Sequence, residues 1–368
     1  MAVGKGYVGF EPLFAVGVIT AVSASMTIPH IYSAAAAVHA ASLILSSILL
    51  QASRKGLCKS SFILLTLTAL TTGLSIGLNG RLLSWSESPL QLTRLFSDLG
   101  ESMKSAIDSL AFSNSDTNAL LKALLCGDRS DLSKEVTSAF RTAGASHILA
   151  LSGLHLGIIY SITDMITSVC GNSITSRQVR SLLNVGICTA YTFATGASAS
   201  ITRALLFITL REIGIVTERP IKLDGLLWKC LLIHLVICPK DILDIGFQLS
   251  YAAIAGIAWI HPRLKGIWQE GSSWPVMRKI WESAALSISC QLTTAPLVWF
   301  HFRTFPGYFL LTNLLALPLT GLLIPVSILT VILDSIGICP EILTLACEKT
   351  VSCLTHILTL ISQMQAHC

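Results

Sequence analysis

Eight side chains capable of chemistry sit inside stretches that are otherwise apolar: His155, Asp164, Arg203, His234, Asp244, Gln248, Gln291 and Asn313. Burying an Arg or Asp at bilayer depth costs about 2.5–3.5 kcal/mol on insertion scales, so such groups face a polar cavity or a partner. Each is a candidate to line a conduit. A structural reading stands beside that one. Asp164, Arg203 and Asp244 lie near enough to the ends of their runs to reach an interface with the charged tip, and a neutral His234 is satisfied by a backbone carbonyl. Ser152 and His155 are three residues apart and within reach of each other on a helix. A serine hydrolase also needs an oriented base and an oxyanion hole, which this spacing does not supply. The chain contains no GxxxxGK[ST] loop to cradle phosphates and no HExxH or HxH ligand set. Neither nucleotide-driven chemistry nor a metal centre is expected, and no cofactor is implied.

These residues must be held by helices that cross a membrane. Of 368 residues, 52% are hydrophobic and 12% charged, with a mean hydropathy of +0.70, where a soluble domain carries about 25% charged residues. Apolar runs fall near 10–28, 31–51, 61–79, 146–168, 181–196, 199–217, 223–238, 242–260, 283–300, 308–333 and 341–362. The expected architecture is all-α, a polytopic transmembrane bundle of about eleven spans. The net charge of +5 fits basic cytoplasmic loops and does not by itself imply nucleic acid. Most of the eleven cysteines sit in apolar runs without CxxC spacing and read as small hydrophobes. No removable signal peptide is evident, so the first span is expected to be retained.

Positive charge sets the orientation. Arg54, Lys55 and Lys59, then Arg177 and Arg180, then Arg211, Arg219 and Lys222, then Arg263, Lys265, Arg278 and Lys279 fall between alternate spans. Those loops belong in the cytoplasm. The register places the amino terminus inside, the carboxyl terminus outside, and residues 80–145 outside. That stretch balances eight acids against seven bases. Within it, Leu92, Leu95, Phe96, Leu99, Met103, Ile107 and Leu110 recur at the period of an amphipathic helix lying on the membrane or capping the bundle. Leu132, Val136, Phe140 and Ala143 suggest a second short helix that stops before Gly144. Three segments result: an N-terminal transmembrane region at 1–80 with about three spans, extracytoplasmic amphipathic helices at 81–145, and a transmembrane domain at 146–368. Pro318 and Pro325 are expected to break the tenth run.

Residues 119–159, ALLKALLCGDRSDLSKEVTSAFRTAGASHILALSGLHLGII, resemble the signature of the ComEC competence-protein family. TGASASITRALL at 195–206, DILDIGFQLSYAA at 241–253 and the run from Gln291 to Pro325 agree in the same order, so the resemblance covers about residues 90–335. It implies a channel of the bacterial inner membrane that admits single-stranded DNA during natural transformation. Implied partners are single-stranded DNA, membrane lipid, an extracytoplasmic DNA receptor and a cytosolic DNA-translocating ATPase or helicase. A separately encoded nuclease and a homo-oligomer are further possible associations. The OB-like and metallo-β-lactamase-like domains that members commonly carry are not recognisable here, so the chain is not expected to be an enzyme.

On this reading Arg129, Arg141 and Arg203 contact the phosphates of the strand. Asp128, Ser130, Ser146 and His147 shape the outer mouth, and Ser152, His155, Gln248 and Asn313 line or brace the interior. A local salt bridge and helix cap is the competing reading of Asp128 with Arg129. A small-solute or ion permease and a non-conducting scaffold subunit are the alternatives. The first equally explains intramembrane polar groups, although no internal repeat is visible.

Overall fold

The computed structural model describes residues 16–18, 91–171, 173–268, 275–303 and 307–366, and among these all regular structure is helical. The three runs expected at 10–79 lie outside the described residues, apart from Val16 to Val18. The chain separates into two compact units, one of residues 1–88 with 222–251 and one of residues 89–221 with 252–368.

In the second unit, α1 (Gln91–Asp108), α2 (Ser115–Cys126), α3 (Lys134–Thr142) and the single-turn α4 (Ser146–Leu149) precede the longer helices α5 (Gly153–Thr167), α6 (Ile174–Ala194) and α7 (Ala199–Val216). In the first unit, α8 (Leu223–Ile237) leads through a 3₁₀ turn to the start of α9 (Ile245–Trp259). The second unit then continues through α10 (His261–Lys265), α11 (Pro275–Phe302), α12 (Phe309–Ser335) and α13 (Glu341–Ala366).

Side-chain caps start several helices where the sequence offers a short polar residue. The Asn114 side chain accepts from the Asp116 N–H, Ser133 from Val136, and Ser173 from Ser176, each filling one of the four donors left open at a helix start. The two expected amphipathic helices are α1 and α3, and Gly144 follows α3 with φ +76°. Helix α2 was not anticipated. The near-neutral charge balance of 80–145 concealed its run Ala119 to Cys126, in which all but Lys122 are buried. Together with Ile107, Phe140, Ile148, Leu323, Leu354 and Leu358, this run makes the main apolar core.

Two further expectations change. The run 146–168 is not one helix, because the backbone turns extended at Ala150 and Ser152 and separates α4 from α5. Pro318 and Pro325 lie inside α12 without ending it. Each proline removes one ladder bond, while the rest of the 27-residue helix keeps its own. Among the described residues α12 is the one helix both long and apolar enough to cross a hydrocarbon core, so the described helices do not establish the expected eleven spans.

Candidate functional site

The signature segment is built around the break between α4 and α5. Gly127 closes α2 with φ +75°, and a Cβ there would lie 2.6 Å from Leu151 Cδ1. Only glycine combines that backbone with that closeness. The next residues form a tight polar turn in which Asp128 Oδ1 accepts from Ser130 N–H (3.1 Å) and Ser130 Oγ–H (2.7 Å), while Lys104 Nζ lies 3.0 Å from Oδ2. The Ser130 hydroxyl, its N–H and Lys104 hold the Asp128 carboxyl down at about 2. Arg129 reaches across the turn, and its Nε donates to the Leu149 carbonyl (3.1 Å), an end group of α4.

On the far side of the break, Ser152 caps α5. Its Oγ accepts from Leu154 N–H (3.3 Å), and its own N–H donates to His155 Nδ1 (3.3 Å). The Ser-x-x-His spacing is therefore a capping box with histidine in the place usually held by glutamate. Because Nδ1 accepts, the ring proton belongs on Nε2. His155 is 1% exposed, and its Nε2 has no hydrogen-bond partner among the described residues.

Around this lock the short helices α1–α4, a platform, dock on the ends of the longer helices. Tyr191 of α6 donates to the Leu125 carbonyl (2.7 Å), Phe96 of α1 stacks on Phe193, and Thr312 of α12 donates to the Ala143 carbonyl (2.8 Å). Two of the platform's lysines are matched by acids, Lys104 with Glu101 and Asp128, Lys122 with Asp108 and Asp131. Its two carboxylates push Lys122 up to about 12.

Within the second unit, then, the fold gathers Asp128, Arg129, Ser130, Ser152 and His155 about one helix break. Ser146 and His147 are exposed on α4, and Arg141 is exposed at the end of α3 with no ion pair or side-chain hydrogen bond among the described residues. Arg203 is 4% exposed near the start of α7, and the Asn313 amide oxygen is buried on α12 without a hydrogen-bond partner among the described residues. Gln291 borders an otherwise apolar recess of about 680 Å³ with Pro296, Trp299 and Phe309. In the first unit, Gln248 donates to the Ile242 carbonyl (2.8 Å), and Asp244 accepts from Phe247 N–H as a cap of α9. His234 does not turn to a carbonyl as expected. Its Nε2 pairs with Asp241 (2.9 Å), and its ring meets Phe247 and Tyr251 edge-on.

The sequence reading named Asp164 and Arg180 but not the second polar group to which they belong. Where α5, α6 and α7 pack, Arg180 holds Asp164 through Nη2 (2.6 Å) and Nε (2.7 Å), and Asn184 Nδ2 donates to the same oxygen (3.0 Å). On α7, Glu212 is 4% exposed and accepts from Tyr160 Oη–H and Ser181 Oγ–H. Its signal was available, since it is an acid within the apolar run 199–217, but the adjacent Arg211 made it read as part of a charged helix end.

The described residues are all-helical, and in the second unit the signature segment is organised around a locked helix break. The chain belongs to the competence-protein family, whose model, described as "Competence protein", matches residues 124–367. It is 27% identical over 233 residues to ComE operon protein 3 of Bacillus subtilis, covering 62% of this chain and 28% of that one. Competence protein ComA of Neisseria gonorrhoeae is 24% identical over 220 residues (58% of this chain, 30% of the relative). An uncharacterized protein, YcaI of Escherichia coli, is 25% identical over 237 residues (60% and 30%). The chain thus spans about three tenths of the length of these relatives. No solved structure matches it.

Proposed function

We propose that this chain is an inner-membrane conduit for single-stranded DNA during natural transformation, with its long apolar runs in the bilayer and the α1–α4 platform on the outer face. The family match over residues 124–367 carries this reading. Its signature maps onto a helix break, the form of backbone that membrane proteins tolerate where it is buried in protein or lines a water-filled path. The chain conducts passively. An outer-face receptor delivers the strand, and a cytosolic ATPase or helicase draws it in.

The three arginines take different parts. Arg141, exposed and without an ion pair among the described residues, meets a passing phosphate. Arg129 is exposed and holds the break through Nε, while Arg203 acts from within the bundle. Neutralised phosphates make strand entry dependent on salt.

Deletion of the gene in a transformable host tests the proposal. Labelled DNA should still bind the cell surface, its entry into the cytoplasm should be lost, and the 368-residue chain should restore entry. Unchanged entry in the deletion strain would reject a translocation role.

A further inference from the structure

Contacts along α12 and α13 measure how deep the short helices reach. Near the first end of α12, the Thr312 hydroxyl donates to the Ala143 carbonyl. Much later on the same helix, Ser327 and Thr330 both meet the Cys347 thiol of α13 (3.8 and 3.4 Å). The neighbouring Glu348 accepts from the N–H of Ser113 and, at 3.4 Å, from its hydroxyl, and Ser113 lies in the turn between α1 and α2. At the helical rise, the stretch of α12 from Thr312 to Ser327 and Thr330 is about 22–27 Å long, most of a hydrocarbon core of about 30 Å.

The α1–α2 hairpin is anchored at both ends of this distance. At the shallow end, Gly100 lies against the Ala194 carbonyl at the end of α6, too close for any side chain, and Tyr191 holds the Leu125 carbonyl. Between the ends, Ile107, Leu120, Leu121 and Leu124 pack in one core with Leu323 and Val351. At the deep end the backbone of the turn is satisfied by side chains. Asn118 Nδ2 donates to the Ile107 and Leu110 carbonyls (3.0 and 3.3 Å), Asn114 caps α2, and Glu348 takes the Ser113 N–H. The opposite side of α1 is polar along its length, with Asp98, Glu101, Ser102, Ser105, Asp108 and Ser109 exposed at three- and four-residue steps.

We propose that α1 and α2 form a re-entrant hairpin whose tip passes the middle of the bilayer and whose polar stripe walls a water-filled cleft open to the outer face. Hydrocarbon cannot solvate the carboxylates of Asp98, Glu101 and Asp108, so the stripe faces water. Irregular backbone survives at such depth only where it is buried in protein or lines water, and the side chains that close the Ser109–Asn114 turn meet that condition. The amphipathic α1 therefore stands in the membrane rather than lying on it. The inference rests on α12 spanning the bilayer with Phe309 outward, and not on what the cleft carries.

The test is thiol accessibility in cells freed of their outer layers, with Ser97→Cys near the shallow end, Ser105→Cys midway and Ser109→Cys near the tip. All three serines are exposed, and each introduced thiol is read on its own peptide by mass spectrometry, apart from the native cysteines. A small, charged, membrane-impermeant methanethiosulfonate should modify all three from outside. A maleimide carrying a long polyethylene glycol chain should modify Ser97→Cys severalfold faster than Ser109→Cys, with Ser105→Cys between. Equal rates with the bulky reagent would overturn the proposal in favour of a helix lying on the surface. A Ser109→Cys thiol that the small reagent never reaches would overturn the water-filled cleft. Modification of all three only after lysis would instead reject the outer-face placement of the platform, and the ratio of shallow to deep rates in the lysed membranes would still decide the hairpin.

Discussion

The platform of α1–α4 and the junction of α5–α7 use the same residue types to different effect. On the platform, Lys104 and Lys122 each face two acids, and Asp108 and Asp131 keep 54% of their side-chain surface exposed. Water screens such pairs, and each contributes about 0–1 kcal/mol. At the junction Glu212 is 4% exposed, Tyr160 8% and Ser181 6%. There a lost partner leaves a polar group with no water to replace it, which costs about 1–3 kcal/mol per group. A count of charges would rank the platform as the more important electrostatic region, and solvent access reverses that ranking.

The largest expected effect tests the junction. Glu212→Ala orphans two buried hydroxyls and leaves a void, so it should lower unfolding free energy by about 4 kcal/mol, measured by denaturant unfolding in micelles. Glu212→Gln, which keeps both bonds, should stay within about 1 kcal/mol of the parent. Equal losses in the two variants would break the comparison.

On the platform the strongest effect should come from backbone and packing rather than charge. Gly127→Ala adds a Cβ at a φ of +75°, 2.6 Å from Leu151 Cδ1, and should cost about 2–3 kcal/mol. Leu151→Ala in the same chain should recover part of that cost, a coupling that a double-mutant cycle of melting curves reads directly.

Asp128 comes next. Its folded value near 2 lies below the ordinary 3.8, so its stabilising contribution is complete above the ordinary value and is lost as pH falls toward 2. Partial exposure limits that contribution to about 1 kcal/mol. Asp128→Asn should flatten the acid limb of a stability profile between those values, and an unchanged limb would assign it elsewhere. The smallest structural effect belongs to Arg141→Ala, which should alter stability by less than about 0.5 kcal/mol while lowering cytoplasmic entry of labelled DNA severalfold. Normal entry would remove Arg141 from the strand's path.

Much of the helical layout was legible in the chain, because apolar runs and caps are local signals. The runs at 199–217, 223–238 and 341–362 correspond closely to α7, α8 and α13. The amphipathic periods of α1 and α3 emerged for the same reason. Helix α2 did not, since its environment is made by residues as distant as Phe140 and Leu358, and a segment's charge balance says nothing of which face is covered.

The sequence by itself determined the all-helical class and the set of polar residues placed among apolar ones, which follow from residue type and spacing, and it carried the resemblance that pointed to the family. Only the tertiary structure decided what those residues do. Ser152 and His155 prove to be a helix cap, Arg129 a brace for the end of α4, and Glu212 a carboxyl group with hydroxyls alone for partners. The physical reason is that a polar side chain's role depends on its partners and its access to water, and these come from residues up to 52 positions away for Tyr160 and Glu212, beyond the reach of any local pattern.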